Sequence, residues 1–113
     1  MRNRKNTGKK YDVGEQVIAQ IRELAGGDII VEMIRERPWA SITFTGTRHK
    51  IGIRCESANS HLILSRLRKK LPTHEFVLHA NFVADCAVLS ATPAHNVSQR
   101  LLTEILTISD PVH

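Results

Sequence analysis

The stretch Trp39–Cys55, WASITFTGTRHKIGIRC, decides how this chain is read. Ala40, Ile42 and Phe44 alternate with Ser41, Thr43 and Thr45. Beyond Gly46–Arg48, Ile51, Ile53 and Cys55 alternate with Lys50, Gly52 and Arg54. Two period-two runs broken at a glycine predict a β-hairpin that turns at Gly46–Arg48. One face of this hairpin is apolar and must be covered. The other carries hydroxyls, a glycine and cations.

Working upstream, Asp28–Arg37 reads as a strand. Ile29, Val31 and Met33 face one way; Ile30, Glu32, Ile34 and Glu36 face the other. Pro38 cannot donate to a ladder and marks the turn into the hairpin. Before this strand, Asp12–Ala25 has the signature of a helix. Asp12 and Glu15 have capping-box spacing, and Val17, Ile18, Ile21, Leu24 and Ala25 form one stripe. Gly26-Gly27 ends it as a left-handed cap. A phosphate loop would need more glycines, a lysine and a following helix, whereas a strand follows here.

Downstream, Ser57 or Ser60 caps a second helix running to about Leu71, with Leu62, Ile63, Leu64, Leu67 and Leu71 as its apolar set. Arg66, Arg68, Lys69 and Lys70 sit at its C-terminal end, where cations favour the helix dipole, and Pro72 stops it. The run 73–91 is too long for one strand. With a turn at Ala80-Asn81 it divides into strands His74–His79 and Phe82–Ser90. Thr92-Pro93 then opens a third helix whose stripe is Val97, Leu101, Leu102, Ile105, Leu106 and Ile108, ended by Asp110-Pro111. The expected fold is therefore a two-layer α+β sandwich. A mainly antiparallel five-stranded sheet carries three helices on one face, in the order α-β-β-β-α-β-β-α. The opposite face is left to water or to a partner.

The chain has 113 residues, the size of one domain. Its net charge of +5 resides in residues 1–10, which hold Arg2, Arg4, Lys5, Lys9 and Lys10 and no acid. The expected organisation is a basic disordered tail over 1–10 and a single, charge-balanced domain over 11–113. The start lacks the apolar segment of a secretory signal. No apolar run approaches the ~20 residues of a membrane span. Two cysteines do not make a disulfide framework. These features point to the cytoplasm and to no membrane partner.

The chemistry-bearing residues exclude more than they specify. His74-Glu75 misses a zinc-protease motif by one residue, and Cys55 with His61 lacks a second close ligand pair, so no metal and no cofactor is expected. There is no nucleophile elbow, and Cys55 and Cys86 fall on apolar faces where cysteine is an inert hydrophobe. Asp85 lies in an apolar strand. A buried carboxylate needs a partner, and Arg48, His49 and Arg54 are the cations in reach. It is expected either to fix strand register through such a pair or to serve in a cleft. On the hairpin, Lys50 and Arg54 share a face, Arg48 and His49 stand at the loop, and Trp39 adds an aromatic. Cations, hydroxyls and an aromatic can hold phosphate and stack a base. The candidate binding residues are thus Trp39, Arg48, His49, Lys50, Arg54 and Asp85.

Two function classes follow. The first is a small non-catalytic module that binds a protein partner or a second copy of itself through the open sheet face. Glu32 and Glu36 opposite Lys50 and Arg54 would supply self-complementary charge in a homodimer. The second is a nucleic-acid-binding module that uses the tail and the hairpin cations. An enzyme ranks below both, because no two titratable residues have motif spacing.

Overall fold

The computed structural model describes residues 12–56, 58–91 and 99–109. The expected tail, Ser57, Thr92-Pro93, Val97 and Asp110-Pro111 lie outside the described residues. Within them the order is α1 (Val13–Ala25), β1 (Ile30–Ala40), β2 (Thr45–Cys55), α2 (Ser60–Lys70), β3 (Asn81–Ala91) and β4 (Gln99–Ser109). A short 3-10 turn, Leu71–Thr73, follows α2. The four strands form one antiparallel sheet in the order β1-β2-β4-β3. The fold is a small α+β domain, but the sheet has four strands rather than five, and the described residues form two helices rather than three.

Helix α1 matches the sequence reading closely. The Asp12 carboxylate accepts from the backbone N–H of Gly14 at 2.8 Å and of Glu15 at 3.3 Å. Gly26 closes the helix at φ +64°, a backbone geometry that suits glycine. Helix α2 ends as expected, with Arg68, Lys69 and Lys70 in its last turn. The helices pack with the sheet around Val17, Ile21, Leu64 and Leu67, against Val31, Ile51, Ile53, Leu101 and Ile105.

Three expected elements are corrected, each for a physical reason. The first is the hairpin. β1 runs on through Pro38 to Ala40, and the turn is Ser41–Phe44 rather than Gly46–Arg48. Ser41 N–H donates to the Phe44 carbonyl at 2.8 Å, and Phe44 N–H donates to the Ser41 hydroxyl at 3.1 Å. The alternation over Ala40–Thr45 thus spans the turn, with Ser41–Phe44 as its loop. Pro38 is tolerated because β1 is an edge strand. Two expected strands therefore merge into one.

The second is His74–His79, which is not a sheet strand. Two glutamines of α1 supply its backbone partners. The Gln20 amide accepts from Val77 N–H at 2.9 Å and donates to the Val77 carbonyl, while Gln16 accepts from His79 N–H at 2.7 Å. The segment therefore runs along a helix instead of joining a ladder.

The third is the expected third helix. Its second half is β4, a central strand. Leu101, Thr103, Ile105 and Thr107 are all buried, although two of the four carry hydroxyls. A threonine scored as polar hides the two-residue period, and the Leu/Ile pairs then mimic a helical stripe. β-branched Thr103, Ile105, Thr107 and Ile108 favour the pleated strand.

Candidate functional site

The sheet has two faces of different character, and a bulge in β1 decides which residues reach each. The register slips between Met33 and Arg35, with Ile34 as the extra residue. Past the bulge, Arg35 lies opposite Lys50, Glu36 opposite His49, Arg37 opposite Arg48 and Trp39 opposite Gly46. Glu36 is thereby sent to the helix side. Arg35, Arg37 and Trp39 are sent to the other side, alongside Lys50, Arg48 and Gly46. The expected face of Ile30, Glu32, Ile34 and Glu36 is corrected accordingly: it loses Glu36 and gains two arginines.

On the helix side, β2 buries His49 completely. Its Nδ1 lies 2.8 Å from Glu36 Oε2 and its Nε2 lies 2.9 Å from Thr107 Oγ1. The Thr107 hydroxyl also lies 3.4 Å from the Thr47 carbonyl. Glu36 fits because Gly14, at the start of α1, has no side chain where the carboxylate sits. A carboxylate, an imidazole and a hydroxyl in a line have the connectivity of a nucleophile relay. Here the hydroxyl is that of Thr107, fully buried in a central strand, so no substrate reaches it. The arrangement satisfies the hydrogen-bonding groups of a buried histidine. His49 is therefore placed away from the open face, although sequence reasoning grouped it with the hairpin cations.

The open face reads as rows across β1-β2-β4-β3. At the hairpin end stands the row Trp39, Gly46, Ile108, Phe82. Next come Arg37, Arg48, Leu106, Asp85, and then Arg35, Lys50, Glu104, Ala87. Glu32, Gly52, Leu102 and Ser90 form the fourth row, and Ile30, Arg54 and Arg100 lie beyond. Leu106 and Ile108 are only 9% and 3% exposed, so this face has a short apolar spine of its own. The two middle rows set Arg37 against Arg48 and Arg35 against Lys50. Like charges directly opposite one another oppose pairing. Among the described residues the ion pairs on this face are Arg48 with Glu104 at 3.8 Å and Arg54 with Glu56 at 2.7 Å. Arg35, Arg37 and Lys50 have none.

Exposed apolar groups gather at both ends of the face. Beyond Trp39 the turn presents a fully exposed Ile42 and a partly exposed Phe44. At the far end a groove of about 330 Å³ is lined by Ile34, Gly52, Leu102, Ser90, Ala91 and Arg100, among others. The bulge turns Ile34 outward over Gly52, where an added Cβ would stand 3.0 Å from Ile34 Cδ1.

Asp85 is exposed at the edge of this face, and the expectation that it pairs internally with Arg48, His49 or Arg54 is corrected. It sits beside a second bulge, between Val83 and Asp85, which frees it from the apolar face of β3. It borders a cleft of about 430 Å³ with His74, Glu75 and Cys86. Burial, aided by the neighbouring Asp85 charge, pushes the Cys86 thiol up to about 11, so it stays protonated at neutral pH and is a poor nucleophile. Among the described residues no three His, Cys, Asp or Glu side chains gather as a metal would require. No described helix is long and apolar enough to cross a membrane.

Of the six candidates, the structure brings Trp39, Arg48, Lys50 and Arg54 to one face, puts Asp85 at its edge and buries His49 on the other side. Sequence reasoning missed Arg35, Arg37, Ile42 and Phe82 as members of the open face, whereas Ile34 stands on it as expected. One signal was present: the adjacent apolar pair Met33-Ile34 breaks the alternation of Ile29, Val31 and Met33 where the bulge falls.

Fold and site together define a two-layer sandwich of the order αββαββ, in which one largely cationic sheet face is covered by neither described helix. No family model matches the chain, and no curated protein does so either. Among solved structures it is similar to a chain described as "Virion of native gene transfer agent (GTA) particle". That match has 16% identity and a TM-score of 0.48, and covers 86% of this chain and 90% of that one. The likeness is too slight to carry a role across.

Proposed function

We propose that the protein is a non-catalytic module that joins to further copies of itself through the open sheet face. The observation that carries this reading is the pair of apolar ends: a protruding tip with Ile42 fully exposed, and the Ile34–Gly52–Leu102 groove at the opposite end. Exposed apolar groups gathered at a tip and a groove mark contact surfaces. A two-fold, face-to-face dimer fits poorly, because the middle rows would meet with their cations in excess and Glu36 has left the face. A head-to-tail contact, tip of one copy in the groove of the next, brings apolar groups together and closes into a ring or extends as a filament.

Sedimentation at micromolar concentration tests this. The wild type is expected as an oligomer. Ile42→Asp and Ile34→Asp are each expected to give monomers with unchanged far-UV spectra. Mixed together, the two variants should form a one-to-one heterodimer, since each keeps the end the other lacks. A monomeric wild type overturns self-association, and oligomers that survive both substitutions overturn the tip-in-groove contact.

A further inference from the structure

The cations in the middle of the open face are not explained by joining apolar ends. Arg37 faces Arg48 and Arg35 faces Lys50 in consecutive rows, so four cations form a block two strands wide. Among the described residues only Arg48 of these four makes an ion pair, with Glu104 at 3.8 Å, and Glu104 also stands directly opposite Lys50, so the block keeps a net positive charge. The repulsion between directly paired cations works against the hairpin, and among the described residues Arg35 and Arg37 have no acid within ion-pair distance. Residues 1–10 cannot neutralise the block, since they contain five cations and no acid. A block with cations in excess favours an anionic occupant.

Its spacing narrows the class. Same-face residues along a strand repeat every ~6.8 Å, twice the rise per residue. That is close to the step between successive phosphates of an extended single strand. The flat, two-strand-wide block also suits a single backbone laid along the hairpin better than a duplex groove. Trp39 stands at the end of the block on β1, and Phe82, 45% exposed, ends the same row on β3, with Gly46 and Ile108 between them. Cations that track a backbone beside aromatics that stack bases are the means by which proteins hold single strands without reading sequence. Acidic protein segments offer charge but give the aromatics no planar partner.

We propose that Arg35, Arg37, Arg48 and Lys50, with Trp39 and Phe82 at their end, form a binding surface for single-stranded nucleic acid. The proposal concerns the middle rows and stands whether or not the apolar ends join copies.

The test uses the full chain and an oligothymidylate of about twenty nucleotides, followed by anisotropy of a labelled strand and by the fluorescence of Trp39, the single tryptophan. Binding is expected to quench Trp39 and to weaken with salt, with a log–log slope of about −2 to −3 for three or four phosphates at ~0.7 each. Arg37→Glu with Lys50→Glu should weaken binding by roughly tenfold or more and flatten that slope. Arg66→Glu with Lys69→Glu makes the same charge change on exposed residues of α2, in the other layer, and should leave affinity unchanged. An equal loss in both double variants, or binding that leaves Trp39 fluorescence unaltered, overturns the proposal in favour of diffuse attraction or the tail. Polyglutamate that binds as tightly with the same quench overturns it in favour of an acidic protein partner. Far-UV spectra of both variants exclude loss of fold as the cause.

Discussion

The two sides of the β1–β2 hairpin handle charge differently. On the helix side a single histidine meets a carboxylate at 2.8 Å and a hydroxyl at 2.9 Å. On the open side Arg35, Arg37 and Lys50 have no acid within ion-pair distance among the described residues. The same eleven-residue strands carry both arrangements. Burial makes the difference. A polar group removed from water must find its partners inside the protein, or the fold loses several kcal/mol. In water an unmatched cation is screened and costs little. Matched polar groups on the covered side therefore report on stability, whereas unmatched charge on the open side points outward.

The largest expected effect breaks the covered side. His49→Ala removes a fully buried ring, leaves a cavity and takes one of its two partners from the Thr107 hydroxyl. The cost should be about 3 kcal/mol, from the cavity and the lost hydrogen bonds together. It is read as a lower denaturant midpoint with an unchanged slope. A midpoint equal to the wild type would mean that the Glu36–His49–Thr107 line is not a brace.

A second comparison sharpens the point within β4. Thr107 and Thr103 are both fully buried on the helix side. The Thr107 hydroxyl is hydrogen-bonded, whereas the Thr103 hydroxyl has no partner. Valine has the same shape and lacks the hydroxyl. Thr107→Val should destabilise by about 1–2 kcal/mol, because His49 Nε2 is left unpaired. Thr103→Val should stabilise by about 1 kcal/mol, because a buried unsatisfied hydroxyl is removed. Thermal melts of the two variants are expected to move in opposite directions. Shifts of the same sign would show that the partner, rather than the burial, is not what separates these two threonines.

These contrasts explain what the sequence made legible. Asp12, Gly26 and the α1 stripe act within a few residues of one another, and the helix stands where the sequence puts it. Both described helices lie on one side of the sheet, as the sequence implies, and Trp39, Arg48, Lys50 and Arg54 share the other side of the hairpin. The full composition of that side was not legible, because strand facing has period two and one inserted residue reverses it. Ile34 is that residue: it moved Glu36 away and brought Arg35 and Arg37 in. The strand His74–His79 failed for a related reason. Its backbone partners are the glutamine side chains Gln16 and Gln20, which no local pattern announces. β4 was misread because its buried side alternates leucine or isoleucine with threonine, and hydropathy alone treats threonine as a surface residue.

The smallest expected effect lies on the open side and has the opposite sign to the first. Arg37 stands directly across from Arg48, and no described acid pairs with it. Arg37→Thr removes one member of a like-charge pair and inserts a β-branched residue that suits an exposed strand. The variant should therefore be slightly more stable, by about 0.5 kcal/mol at low ionic strength. Salt is the discriminating variable. At 0.15 M the screening length is already ~8 Å, and at 1 M it falls to ~3 Å, shorter than the separation of cross-strand side-chain charges. The gain should shrink as salt is added, because the wild-type repulsion is screened while the variant has none to lose. Arg48→Thr relieves the same repulsion but also gives up Glu104 at 3.8 Å, so its gain should be the smaller of the two. If Arg37→Thr destabilises, Arg37 is holding the hairpin through its aliphatic stem. If it stabilises equally at all salt concentrations, strand propensity is the cause, and the cations on this face do not repel.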